Sequence, residues 1–160
     1  VWTAGAAIAA GASVTEVRER IADVVPRIGT SFMIGVPMLT ERGGRASGID
    51  LHGGGDNDGV PVLAMSGGRL EVLDRVSTVD DTIDVMSTYA SGWGASRWGE
   101  RITVAIGVAD EPSRALAERL RSALAGLDRV DDIVEYRVGP SVGAHTGPGT
   151  FGLFVFPTPA

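Results

Sequence analysis

The chain has 160 residues, 44% of them apolar, and a formal net charge of −6. That is enough for one domain with its own core, and the acidic balance lacks the footprint of a nucleic-acid binder. Without cysteine there are no disulfides and no thiol chemistry. All 14 basic residues are arginine, so there is no lysine for a Schiff base or a phosphate loop.

In chain order, "AGAAIAAGA" (4–12) is small and apolar. It is too short to cross a bilayer, which takes ~20 residues, and it lacks the basic flank of a signal peptide. No membrane span is expected, and the cytoplasm is the default location. In "ASVTEVRERIADVVPRIG", Ser13 or Thr15 caps a helix with Glu16 in its first turn. Val17, Ile21, Val24 and Val25 form its apolar stripe, and Pro26 and Gly29 end it. "TSFMIGVP" (30–37) reads as a short strand. "MLTERGGRASG" (38–48) reads as a helical turn entering a glycine-arginine corner. "IDLHGGGDNDG" (49–59) reads as a solvated loop that includes His52. Its Asp56, Asn57 and Asp58 lack the alternating oxygens and distal glutamate of a calcium loop.

Residues 60–65 and 69–76 flank "SGG" as a hairpin, and Leu70, Val72 and Leu73 break the alternation as a bulge would. Residues 79–94 read as a helix with Asp80 and Asp81 at its positive end. A buried strand is expected at 101–109. The clearest helix, 110–126, is capped by Asp110 or Ser113 and stopped by Gly126. Leu116, Leu120, Ala123, Leu124 and Leu127 share its apolar face. Strands follow at 132–138 and 150–157. This order mixes a hairpin with α–β units and predicts an α+β fold: one mixed, largely antiparallel sheet with helices packed on it.

The chain lacks a Gly-x-Ser-x-Gly nucleophile motif and a dinucleotide fingerprint, and its two histidines, His52 and His145, have no zinc spacing. The pairs Asp80–Asp81 and Asp131–Asp132 read as caps or solvated faces. Two corners remain. In "ERGGRAS" the glycines turn the backbone tightly, leave amide N–H groups to face a ligand, and project Arg45. In "GAHTGPG" they hold His145 and Thr146 on a constrained loop between two strands. Each has a plain reading beside the functional one: a turn with a surface arginine, and a tight connection whose histidine bonds a carbonyl.

Taken together, these corners resemble the C-terminal half of the DegV family of bacterial fatty-acid-binding proteins. The resemblance is carried by Leu39, Gly43, Gly44, Arg45, Ser47, Pro61 and Gly68, then by Gly139, Gly143, His145, Thr146, Gly147, Pro148, Gly149 and Gly152. It covers nearly the whole chain, and "AHTGPGTFG" is its most specific stretch. It implies that residues 1–28 are a helix leading in from an N-terminal lobe outside this chain, and that 29–160 are the lipid-binding domain. It implies a bound long-chain fatty acid and no other cofactor, with the tail in an apolar tunnel and the carboxylate in a cleft. His145 is then the carboxylate ligand, with Arg45, Thr146 and Gly44 beside it. Some relatives present the acid to a separate fatty acid kinase, so the family protein is a carrier and not an enzyme.

The chemistry of the residues fits. An imidazole supplies an N–H in either tautomer and a charge when protonated. Burying a tail is worth about 0.8 kcal/mol per methylene, and the candidate walls are Ile34, Val36, Val62, Leu63, Ile106, Phe151, Leu153 and Phe154. Three departures weaken kinase docking. Ser77 stands where kinase-partnered relatives carry a second arginine after the position of Arg75, acidic "VDD" follows it, and Val60 replaces a common lysine. Two other classes stay open: an interaction module that kept the fold without the ligand, and an enzyme with His145 as general base.

Overall fold

The computed structural model describes residues 1–53, 58–94 and 101–158. Six strands among them form one sheet: β1 (Gly29–Met33), β2 (Val60–Ser66), β3 (Arg69–Val76), β4 (Ile102–Val108), β5 (Val130–Arg137) and β6 (Phe151–Pro157). Their order is β3-β2-β1-β6-β4-β5. β4 and β5 run parallel, joined by helix α5 (Glu111–Ala125), and the other pairings are antiparallel. The expected mixed, largely antiparallel α+β sheet is therefore the fold. The other helices are α1 (Trp2–Ala9), α2 (Val14–Val24), α3 (Pro37–Arg42), α4 (Thr82–Gly92) and α6 (Pro140–Thr146).

One sheet face packs against α4 and α5. Met33, Val62, Val104, Ile106, Val108, Phe151, Leu153 and Val155 meet Ile83, Met86, Ala117, Leu120 and Leu124 there. Each fully buried leucine contributes about 2 kcal/mol, and burial of this face fixes the strand register. The face of α5 is turned slightly from the expected one: Ala117 is buried and Ala123 is exposed. Its start carries both expected caps at once. The Asp110 carboxylate accepts the Ser113 N–H, and the Ser113 hydroxyl accepts the Asp110 N–H. In the β2–β3 hairpin, Val62 faces Asp74 but Leu63 faces Val72, so Leu73 is the extra residue of the expected bulge.

The opposite sheet face is covered over one half only. Leu63 and Phe32, with Leu70 and Val72, pack under Ile34, Ala46, Ile49 and Leu51. The other half is partly open: Phe154 on β6 and Tyr136 on β5 are 38 and 37% exposed, whereas Thr103 and Phe156 are buried.

Four expectations are corrected. The strand expected at 30–37 ends at Met33, because Pro37 opens α3. The segment 1–28 is a pair of helices packed on each other and a short 3-10 turn, rather than a single helix. Ser13 does cap α2, in a reciprocal bond with Glu16, but of its apolar stripe Val24 is buried while Ile21 and Val25 are exposed. The loop expected at "GAHTGPG" is helical through Thr146, although Ser141 and Gly143 of that helix are poor helix formers. Tertiary contact with α3 holds that turn, and Pro140 presets its start. Asp56 and Asn57 of the polar loop lie outside the described residues. Among those described, no helix is long and apolar enough to cross a membrane, and no cluster of three His, Asp or Glu could hold a metal.

Candidate functional site

The site begins with how α3 and α6 end. α3 closes in a Schellman turn: the Gly44 N–H reaches the Glu41 carbonyl at 2.9 Å and the Arg45 N–H reaches the Thr40 carbonyl at 3.0 Å. That reversal needs a residue in the left-handed region, and Gly44 has φ +69°. The expectation that this corner offers free amides is thereby corrected. The N–H groups of Gly43, Gly44 and Arg45 are all spent on α3 carbonyls, and the contribution of Gly44 is the turn.

The neighbouring Gly43 has a different reason to be glycine. A Cβ there would collide with the His145 ring at Nδ1. The imidazole thus lies against the backbone of Gly43, while Arg45 Nη1 donates to the Gly43 carbonyl at 2.5 Å. The structure brings His145 and Arg45, 100 residues apart in sequence, to the same peptide segment. His145 is partly exposed and Arg45 is exposed. Thr40, which the sequence does not single out, locks the pair: its buried hydroxyl donates to the His145 carbonyl at 2.6 Å.

The "HTGPG" turn is pinned from three sides. The Val36 N–H donates to the Thr146 carbonyl at 2.8 Å. The Thr150 hydroxyl accepts the Gly35 N–H at 3.1 Å and donates toward the carbonyls of Thr146 and Gly147 at 3.0 and 2.9 Å. Asp110 takes the Gly149 N–H at 2.8 Å on one oxygen while capping α5 with the other. Partial desolvation pushes the Asp110 carboxyl up, but the Gly149 and Ser113 donors outweigh it and hold the group below its ordinary 3.8. Its stabilising contribution is therefore complete above the ordinary aspartate range and is lost as pH falls through the depressed folded value. Asp110→Ala should cost about 1 kcal/mol, the usual worth of a helix cap. Asp110→Asn should flatten the acid limb of the stability curve, read by urea melts between pH 5 and pH 2. An unchanged acid limb would refute the assignment.

Beside this corner, on the open sheet face, lies a groove of about 260 Å³. Gly152 and Gly107 are register partners on β6 and β4, and a Cβ would strike Phe32 at the first and the Tyr136 ring at the second. Thr30, Phe32 and Met65 line one side, with Phe154 beyond them and Tyr136 at the β5 end. α6 forms the long wall through Val142 and Thr146. His145 lies three residues after Val142 and so near the same helix face. The Thr146 hydroxyl donates to the Val142 carbonyl at 3.1 Å. Met65, Tyr136, Val142 and Phe154 remain 37 to 52% exposed, although they are large and apolar. Of the expected wall residues, Phe154 turns its side chain into this groove, while Phe151 and Leu153 border it only through the strand and bury their side chains in the helix-facing core. Val62 and Ile106 belong to the helix-facing core, and Ile34 and Leu63 to the covered half of the open face. Burial raises the Tyr136 hydroxyl to about 12, so it stays protonated.

Two other sequence features resolve simply. His52 is exposed, with Nε2 2.9 Å from a Glu41 oxygen. Arg75 turns inward: Nη2 donates to the Asp50 carbonyl at 2.5 Å, and 16% of its side chain is exposed.

The family model described as "Uncharacterised protein, DegV family" matches residues 1–158. The chain belongs to the DegV family. A DegV domain-containing protein of Streptomyces coelicolor is 34% identical over 131 residues, which is 79% of this chain and 44% of that protein. The chain spans about half the length of the curated DegV relatives it matches. Among solved DegV structures, the fatty acid binding protein from Streptococcus agalactiae superposes with a TM-score of 0.78 at 20% identity, over 99% of this chain and 54% of that one. The structure titled for fatty acid binding of a DegV family protein from Thermus thermophilus gives 0.75 at 22%, over 97% and 54%. At those identities the likeness is one of fold.

Proposed function

We propose that this DegV chain binds a long-chain fatty acid, with the carboxylate at the His145–Arg45 corner and the tail in the groove along α6. The observation that carries the reading is that α6, the helix whose Val142 and Thr146 line the groove, also carries His145, which meets Gly43 beside Arg45 just outside that lining. His145 donates to the carboxylate, Arg45 adds charge, and Thr146 borders the junction of head and tail. Solved relatives whose titles state fatty acid binding support the ligand class.

The exposure of Met65, Val142 and Phe154 implies a cover, and the resemblance assigns it to a second lobe that supplies further hydroxyl donors. In this reading the chain is a carrier and performs no chemistry on the acid. Delivery to a kinase has weaker support, because Arg75 is engaged by Asp50 and Ser77 replaces the second arginine. An open groove beside α6 is also the opposite of the filled face that a ligand-free interaction module would carry.

Native mass spectrometry of the purified chain, followed by organic extraction, tests the proposal. An adduct of acyl-chain mass that extraction removes, and that added palmitate restores, is the expected result. If no adduct forms and calorimetry detects no palmitate binding, the reading is wrong.

A further inference from the structure

The groove has a direction, and this sets up an inference that rests on the fatty-acid reading and goes beyond it. α6 starts at Pro140, just after β5, and ends at Thr146, whose carbonyl is bonded by Val36 after β1. The helix therefore crosses the sheet from its β5 edge toward β1, along the groove. A carboxylate at the His145 end sends its tail toward β5. At that end stands Tyr136, in register with Gly107. A Cβ on Gly107 would run into the Tyr136 ring, so the ring leans inward over β4 and fills the space the glycine leaves. Phe154 rises beside it from β6, with ring centroids 5.7 Å apart and planes tilted by 43°. From Met65 on β2 to the ring over β4 is three inter-strand steps, about 14 Å of groove.

We propose that the Tyr136–Phe154 ring pair is the tail stop of this groove and sets the longest acyl chain the site accepts. Up to the stop, each added methylene is buried and affinity rises about fourfold per carbon. Past the stop, the chain has to bend out into water or displace a ring, and affinity levels off or falls.

The test titrates the whole chain with saturated acids from octanoic to arachidic, in the wild type, Tyr136→Ala, Phe154→Ala and Tyr136→Phe. Circular dichroism checks that each variant is folded. The wild-type profile should reach a maximum within the series. Tyr136→Ala and Phe154→Ala should each move that maximum to longer acids, with the fourfold gain per carbon continuing beyond the wild-type limit. Tyr136→Phe keeps the ring and should keep the wild-type profile. Phe154→Ala carries the test if Tyr136→Ala does not fold. A wild type that binds with a maximum neither alanine variant moves overturns the stop alone. A shift in Tyr136→Phe also overturns it, by assigning selection to the hydroxyl. A wild type that binds none of the acids overturns the fatty-acid reading, and the stop with it.

Discussion

His145→Ala should weaken palmitate binding by roughly tenfold to a hundredfold, because a hydrogen bond to a charged group is worth about 1.5–3 kcal/mol. The loss belongs to the head group, so it should be nearly the same for every acid in a chain-length series. That separates it from the groove variants, whose effect grows with length. The fold should tolerate the change. The ring is partly exposed, and the contact that fixes the turn, Thr40 to the His145 carbonyl, is made by the backbone of residue 145. His145→Gln keeps an N–H donor on a longer, less rigid side chain and should fall between alanine and wild type. Isothermal titration of the three proteins decides the matter. Equal affinities would show that the imidazole merely packs on Gly43 and that the carboxylate is held elsewhere.

How far this site was legible in the sequence depends on which forces act locally. Caps and stops are short-range, so Ser13, Asp110, Ser113 and the β2–β3 bulge could be read from residue order. So could the alternation that places β2 and β3. The α6 helix could not. Its residues favour loops, and what makes them helical is a neighbour 100 residues away, α3, joined through Thr40 and Val36. The same holds for the meaning of the glycines. "GGR" reads as a flexible corner, yet Gly43 is small to admit a histidine from another element and Gly44 is there to turn the chain back on α3. The stripe of α2 shows the opposite failure. Its periodicity was plain, but periodicity marks an apolar face without saying what covers it, and Ile21 and Val25 are uncovered in this chain. Tyr136 was invisible as a site residue because its role comes from leaning over a glycine on the next strand.

Thr150 gives the most direct test of that long-range construction. Its hydroxyl, 4% exposed as part of the whole residue, joins the exit of β1 to the end of α6 through Gly35, Thr146 and Gly147. Thr150→Val keeps shape and volume while removing every one of those bonds. The Thr146 carbonyl retains the Val36 N–H, but the Gly35 N–H loses its partner in a place where a Cβ on residue 35 would already strike the Pro148 carbonyl. The stranded groups should cost about 1–3 kcal/mol. For a chain of this length that is a fall in melting temperature of about 2–4 °C per kcal/mol. Thr150→Ser restores the hydroxyl and gives up only a methyl, so it should recover most of the loss. A serine variant less stable than the valine one would mean that packing, not bonding, matters there. The further consequence is functional. Because these bonds hold His145 against Gly43, Thr150→Val should also weaken fatty-acid binding, and it should do so through the histidine. In a double-mutant cycle, Thr150→Val should therefore cost little additional affinity once His145 is alanine. Full additivity would mean that the turn and the head-group ligand act independently.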